Sequence, residues 1–273
     1  MATPPTGPAQ YLARFSEQSI ACSQYALTKL GVDRGHCSLK IEDYVILCIP
    51  FQFGFKRSLF LASLSKQELV FFQKYVNAIA NLSISFLLPG RTEPLNFFIR
   101  STLTKIGQMK DRENVGLFVV DFKTTPDELV RILGGFLEHQ DKLKFQFDDY
   151  ARSVIRVNPD TAKLMGYNMY ATVADGSPEG RRIQVVNIHS KMLEHLEAAG
   201  APVRAPGTAA GYQLFFKKYR VAVGGTVETA VQLPQGIVRT VSNLSFSPEL
   251  VEVIDEYWLT VHSAPQAAPG AAR

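Results

Sequence analysis

Apolar residues recur at every second position through much of this chain and at every third or fourth in a few stretches, and the two periods mark strands and helices. Tyr44-Val45-Ile46-Leu47-Cys48-Ile49 and Ser58-Leu59-Phe60-Leu61 predict strands, parted by a turn at Gly54. Leu82 to Leu88, Leu95 to Leu103 and Val115 to Phe122 predict three more. Helical spacing runs from Tyr11 to Leu30, where Gly31 ends it. It returns at Leu69, Phe72, Val76 and Ile79, behind the capping box Ser65-Lys66-Gln67-Glu68. A third helix opens at Thr125-Pro126-Asp127-Glu128, with threonine as cap, proline first and acids at the positive end of the dipole. Its apolar face is Leu129, Ile132, Leu133, Phe136 and Leu137. The first half is thus an α+β unit or a decorated barrel.

The stretch Phe147 to Pro159 joins the two halves. Val154, Ile155 and Val157 lower its helix preference and Pro159 pushes Asn158 into an extended conformation, so the segment reads as extended. In such a segment Arg152 and Arg156 point to the same side, about 13 Å apart at their backbones. Two guanidinium forks on one side suit a phosphate or the edge of a guanine. Beyond the joint, Asp160 to Leu164 predicts a short helix ending near Gly166. Tyr167 to Val173 and Arg182 to Ile188 predict a hairpin about the turn cluster Asp175-Gly176-Ser177-Pro178-Glu179-Gly180. Ser190 to Ala199 fits either a short helix or a curled strand. Ala201 to Ala210 is a loop, and Gly224-Gly225 reads as a turn between strands Tyr219 to Val223 and Thr226 to Leu233. Tyr212 to Phe216 and Ile237 to Ser242 complete a set with barrel-like spacing. Ser247-Pro248-Glu249 starts a last helix that packs Leu250, Ile254, Tyr257 and Trp258 on the barrel.

The expected organisation is therefore α+β, mainly β. Residues 10–145 form an N-terminal α+β domain, 146–158 a linker carrying the two arginines, and 159–262 a six-stranded antiparallel barrel with a terminal helix. Residues 263–273, like the start to Ala9, form a disordered tail rich in alanine and proline. A chain of 273 residues with 46% hydrophobic content is ample for two cores. Its net charge of +4 lies wholly in residues 1–145, so any pull on polyanions is mild. Cys22, Cys37 and Cys48 have neither even number nor C-x-x-C spacing, which argues against a disulfide framework or structural zinc. With no signal-like start and no long apolar window, the expectation is a cytoplasmic protein without a membrane span.

Arg152-Ser153-Val154-Ile155-Arg156 has the R-x-x-x-R form that opens PilZ domains, receptors for the bacterial second messenger cyclic di-GMP. Thr226 to Arg239, followed by Leu244-Ser245-Phe246-Ser247-Pro248-Glu249-Leu250, resembles the closing strands and terminal helix of such a domain. With a first half ending in Phe122 to Gly134, the chain resembles the two-domain PilZ proteins of spirochaetes. The family's second motif, [D/N]-x-S-x-x-G, has its positional counterpart at Asn187-Ile188-His189-Ser190-Lys191-Met192, where serine comes one residue late and Met192 replaces the glycine. A literal match at Asp175 to Gly180 is read as the hairpin turn. The resemblance implies cyclic di-GMP as ligand, gripped by Arg152 and Arg156 from the linker and by Asn187, His189 and Ser190 on the barrel. It further implies that binding fixes the arrangement of the two halves and so regulates motility or virulence.

Two other readings stand beside it. One is a degenerate PilZ adaptor that binds a protein partner in motility control without ligand. The other is a nucleic-acid-binding protein using Arg181-Arg182 and Lys217-Lys218-Tyr219-Arg220, which equally read as exposed strand-end charges. His189 and His195 are six residues apart, about 600° on a helix, and read as surface residues without a shared metal. The expectation is no cofactor, no metal and no enzyme, since no nucleophile is set beside a base and no phosphate-cradling glycine loop is visible.

Overall fold

The computed structural model describes residues 7–110, 112–174 and 180–263. The expected Asp175 to Glu179 turn, the start before Gly7 and the tail beyond Ser263 lie outside the described residues. The chain divides into two compact units, Met1–His139 and Gln140–Arg273.

In the first unit come α1 (Pro8–Phe15), β1 (Ser19–Ala21), α2 (Gln24–Leu30), β2 (Val32–Ile41), β3 (Tyr44–Leu47), β4 (Ile49–Gly54), β5 (Arg57–Ser63), α3 (Lys66–Gln73), β6 (Ile79–Phe86), β7 (Leu95–Gln108) and β8 (Val115–Phe122). A last helix, α4 (Asp127–Asp149), begins here. The helix expected from Tyr11 to Leu30 is broken, because Ser19–Ala21 pairs with Gln52–Gly54 and Ser23 then caps a new helix through the Ala26 amide. The run Tyr44 to Ile49 also divides. Cys48 donates its amide to the Cys37 carbonyl, and the chain leaves β2 for the far side of the sheet. The helix behind the capping box ends at Gln73, short of the expected Val76 and Ile79. Asn77 takes a positive φ of 73° and its amide bonds to the Leu103 carbonyl, turning the chain into β6. Thr125 is not the cap of α4; its hydroxyl donates to the Phe55 carbonyl.

The eight strands form one antiparallel sheet in the order β1-β4-β5-β8-β7-β6-β2-β3. The Phe53 and Phe86 rings meet at 6.1 Å although β4 and β6 are not neighbours, so the sheet curls about its core. Phe53, Phe60, Phe86, Phe118, Leu39 and Leu82 fill that core. Leu129, Val130, Leu133 and Leu137 of α4 are buried too.

The second unit holds a 3-10 turn (Tyr150–Arg152), β9 (Ile155–Arg156), α5 (Pro159–Met165), β10 (Tyr167–Ala174), β11 (Arg181–His189), β12 (Met192–Glu197), β13 (Ala209–Phe216), β14 (Arg220–Gln232), β15 (Val238–Leu244) and α6 (Pro248–Ser263). Strands β10-β13-β14-β15-β12-β11 close on themselves through the β10–β11 pairing, giving a six-stranded antiparallel barrel. β11 is shared along its length: its first residues pair with β10 and its last with β9. Of the two readings for Ser190 to Ala199, the strand is the one found. Gly224-Gly225 is not a turn but the middle of β14. A Cβ on Gly225 would lie 2.9 Å from the Asn243 carbonyl oxygen, so glycine lets β14 lie against β15. Leu250, Val253, Ile254 and Tyr257 of α6 join the barrel core, with Trp258 partly buried beside them. No helix among the described residues is long and apolar enough to cross a membrane.

Candidate functional site

The joint segment is not extended throughout. Phe147 to Asp149 complete the last turn of α4, Tyr150 to Arg152 continue as a 3-10 turn, and extended backbone starts at Ser153 (φ −127°, ψ 107°). Arg152 and Arg156 therefore do not lie on one strand. β-Branching favours extension only from Val154 onwards. Upstream, side chains hold the helix end in place. Gln146 donates to the Asp255 carboxylate at 3.1 Å, and the Tyr150 hydroxyl donates to the same group. The Phe147 carbonyl, one of those left over at a helix end, accepts from the Ser190 hydroxyl at 2.5 Å. Lys191 reaches Asp148 at 2.5 Å and lies 5.2 Å from the Phe147 ring.

β9 then anchors the segment to the barrel. Ile155 is buried opposite Ile188, so Arg156 faces outward, directly opposite Asn187. The Val157 amide bonds to the Val186 carbonyl at 2.8 Å. Asn158 caps α5 by accepting from the amides of Asp160 and Thr161 at 3.0 Å, and Gly166 ends that helix in the left-handed region. Both signals were legible in Asn158-Pro159 and Gly166.

The outward row continues across two more strands. Asn187 donates its amide to Glu194 at 2.6 Å, and Arg239 of β15 donates to the other oxygen of Glu194 at 2.5 Å. Burial works against the Glu194 charge, but the bonds from Asn187 and Arg239 and the guanidinium charge outweigh it and hold the carboxyl below its ordinary range. Glu194 and Arg239 were missed as site residues. The signal for them is polarity at alternate positions: each stands between residues that face the barrel interior. What joins them is the order β11-β12-β15, which no local spacing encodes.

The remaining expected residues are placed differently. Arg152 is exposed, 4.0 Å from Asp149. His189 is half-buried and its Nδ1 accepts the Lys191 amide at 3.1 Å; burial, then the Lys191 charge, lowers its pKa and so favours the neutral ring. Ser190 is fully buried beneath the joint. His195, expected at the surface, is enclosed in the barrel instead, its Nε2 3.3 Å from Glu197. The alternation of β12 decides this: Leu193, His195 and Glu197 face inward. Arg181 and Arg204 both donate to Glu197, so Arg181 is only partly an exposed strand-end charge. Lys218 pairs with Glu256 at 2.8 Å. No group of three or more His, Cys, Asp or Glu among the described residues is placed to hold a metal.

Chemically the outward face offers guanidinium forks from Arg156 and Arg239 about a central Asn187–Glu194 pair, with Arg152 exposed on the turn that precedes β9. Such a set suits an anion that carries a planar, hydrogen-bonding body.

Residues 9–140 match the family model described as the PilZN3 domain. Solved structures similar to this chain include the PlzA protein of Borreliella burgdorferi in complex with c-di-GMP, 11% identical, covering 92% of this chain and 97% of that one with a TM-score of 0.47. They also include YcgR from Escherichia coli in complex with c-di-GMP (8% identical, 93% and 90% covered, TM-score 0.29) and the MrkH-c-di-GMP complex of K. pneumonia (8%, 90% and 97%, 0.30). No curated protein sequence matches this chain.

Proposed function

We propose that this chain is a PilZ-type receptor that binds cyclic di-GMP on the outer face of its barrel, acting by binding and not by catalysis. A PilZN3 match over the first unit and the R-x-x-x-R segment before a six-stranded barrel support this reading. The observation that carries it is the pairing of Arg156 with Asn187, which brings together residues of the family's two motifs that lie 31 positions apart in the chain. Arg152, at the free end of the 3-10 turn, supplies the second fork for the ligand phosphates. Asn187 and His189 present hydrogen-bonding edges to the base. Ser190 serves from beneath by holding the end of α4. The output is regulation of motility or virulence through the arrangement of the two units.

Calorimetric titration of cyclic di-GMP into the wild type and into an Arg152→Ala, Arg156→Ala variant tests the proposal. Saturable wild-type binding that weakens at least a hundredfold in the variant is expected, since each charge-assisted contact is worth roughly 1.5–3 kcal/mol. Absence of binding to folded wild type would overturn it. That result would favour the second reading, an adaptor that recognises a protein partner without ligand. Burial of Ser190 and the presence of Met192 where the motif has glycine are the observations on that side.

A further inference from the structure

The first unit contains an open, solvent-facing cavity of about 430 Å³, within the range of small-molecule sites. One wall is a single face of α4: Glu128, Arg131, Ile132, Gly135, Phe136 and His139 follow the helical spacing i, i+3, i+4, i+7, i+8, i+11. The opposite side of the same helix is spent on the core through Leu129, Val130, Leu133 and Leu137. The facing wall comes from Lys29 and Leu30 at the end of α2 and from Leu88 and Pro89. That wall is fixed. Gly31 ends α2 at φ +72°, and its carbonyl accepts the Leu87 amide at 2.6 Å.

Two neighbouring glycines in α4 behave differently. A Cβ on Gly134 would lie 2.3 Å from the Tyr11 ring, so packing of α1 accounts for that glycine. A Cβ on Gly135 would meet nothing within 4 Å. Glycine is the poorest helix former after proline, and no contact among the described residues requires it at 135. Gly135 lines the cavity, where a missing side chain lets another molecule approach the helix backbone. Beside it, Arg131 and Arg91 share one carboxylate, Glu128, at 3.4 and 3.8 Å. Arg131 is exposed, and exposed pairs of this kind are weak, so its guanidinium exchanges partners at little cost.

We infer that this cavity binds an amphipathic anion: an apolar body along the half-buried Ile132 and Gly135, above the buried Leu30 and Phe136, with its acidic group at Arg131. The site lies in the first unit and is independent of the Arg156–Asn187 face.

Decanoate is the probe, titrated calorimetrically into the full chain. Saturable one-to-one binding is expected, weakened at least tenfold by Gly135→Leu, which fills the cavity, and at least tenfold by Arg131→Glu, which reverses the charge. Decyltrimethylammonium, of equal tail length and opposite charge, should bind at least tenfold more weakly. Arg131 is a surface residue, so its variant keeps the experiment decisive even if Gly135→Leu does not fold; circular dichroism checks both. No decanoate binding by the wild type, or undiminished binding by both variants, would overturn the inference. The Arg152→Ala, Arg156→Ala variant should bind decanoate as the wild type does, which separates this result from the receptor proposal.

Discussion

Glu197 sits inside the barrel with 1% of its side chain exposed, and it is the hub of the buried charges there. Arg204 approaches at 2.5 Å, Arg181 at 3.0 Å and His195 at 3.3 Å. Burial alone would raise its pKa. The bonds from His195 and Arg204 and their charges overcome that and bring it from an ordinary 4.5 down to about 2. A carboxyl whose pKa falls on folding holds its proton more weakly in the folded state. Its stabilisation is therefore fully present above about pH 5 and is lost as the pH falls towards 2, a swing on the order of 3 kcal/mol. Urea unfolding between pH 6 and pH 2.5 should show the wild type losing most of that swing relative to Glu197→Gln, which has nothing to titrate at this position. Parallel profiles would show that Glu197 is not held low. At neutral pH, Glu197→Ala should cost roughly 3–5 kcal/mol, because it leaves the Arg204 guanidinium buried without its partner.

Among the elements, α4 offers a contrast between adjacent positions. Replacing Gly134 by alanine gains helix propensity but drives a Cβ into the Tyr11 ring near its root, where the side chain has little freedom to yield. A net loss of about 1–2 kcal/mol is expected. Gly135→Ala meets open space and should gain up to about 1 kcal/mol. Melting temperatures of the two variants should move in opposite directions, and a common direction would show that α1 does not press on α4 as described. Neither glycine announced its role in the sequence, since both are equally poor helix formers and only the packing separates them. Elements bounded by their own chemistry were legible: α5 between Asn158-Pro159 and Gly166, and the start of α3 at its capping box. Elements decided by pairing were not. Ser19–Ala21 continues a helical pattern and becomes a strand only because β4 lies beside it. Gly224-Gly225 has the composition of a turn and is held in a strand by β13 and β15. The site divides likewise. Arg156 and Asn187 were recognisable by residue type within motifs, whereas Glu194 and Arg239, 45 positions apart, are joined only through strand order.

For the molecule as a whole, the receptor proposal turns on the segment that follows α4, which lies within the second unit. The segment from Tyr150 to Asn158 is held at one end by the Tyr150 and Gln146 bonds to Asp255 and at the other by the cap of α5. Between them, Ser153 keeps a 3.4 Å amide bond to the Tyr150 carbonyl, Val154 lies outside helix and strand, and Arg152 is exposed, 4.0 Å from Asp149. A ligand gripped by both Arg152 and Arg156 removes freedom from this short stretch. α4 runs from the first unit into the second, and the receptor proposal takes the stretch that follows it as the link between binding and the arrangement of the units. The resulting shift is bounded by the ligand's preference for one arrangement over the others. Small-angle scattering with saturating cyclic di-GMP should therefore differ from the profile of the free chain, and the Arg152→Ala, Arg156→Ala variant should show no difference. Superimposable wild-type profiles, in a sample that calorimetry shows to be fully bound, would leave the ligand site standing and remove the coupling between binding and arrangement.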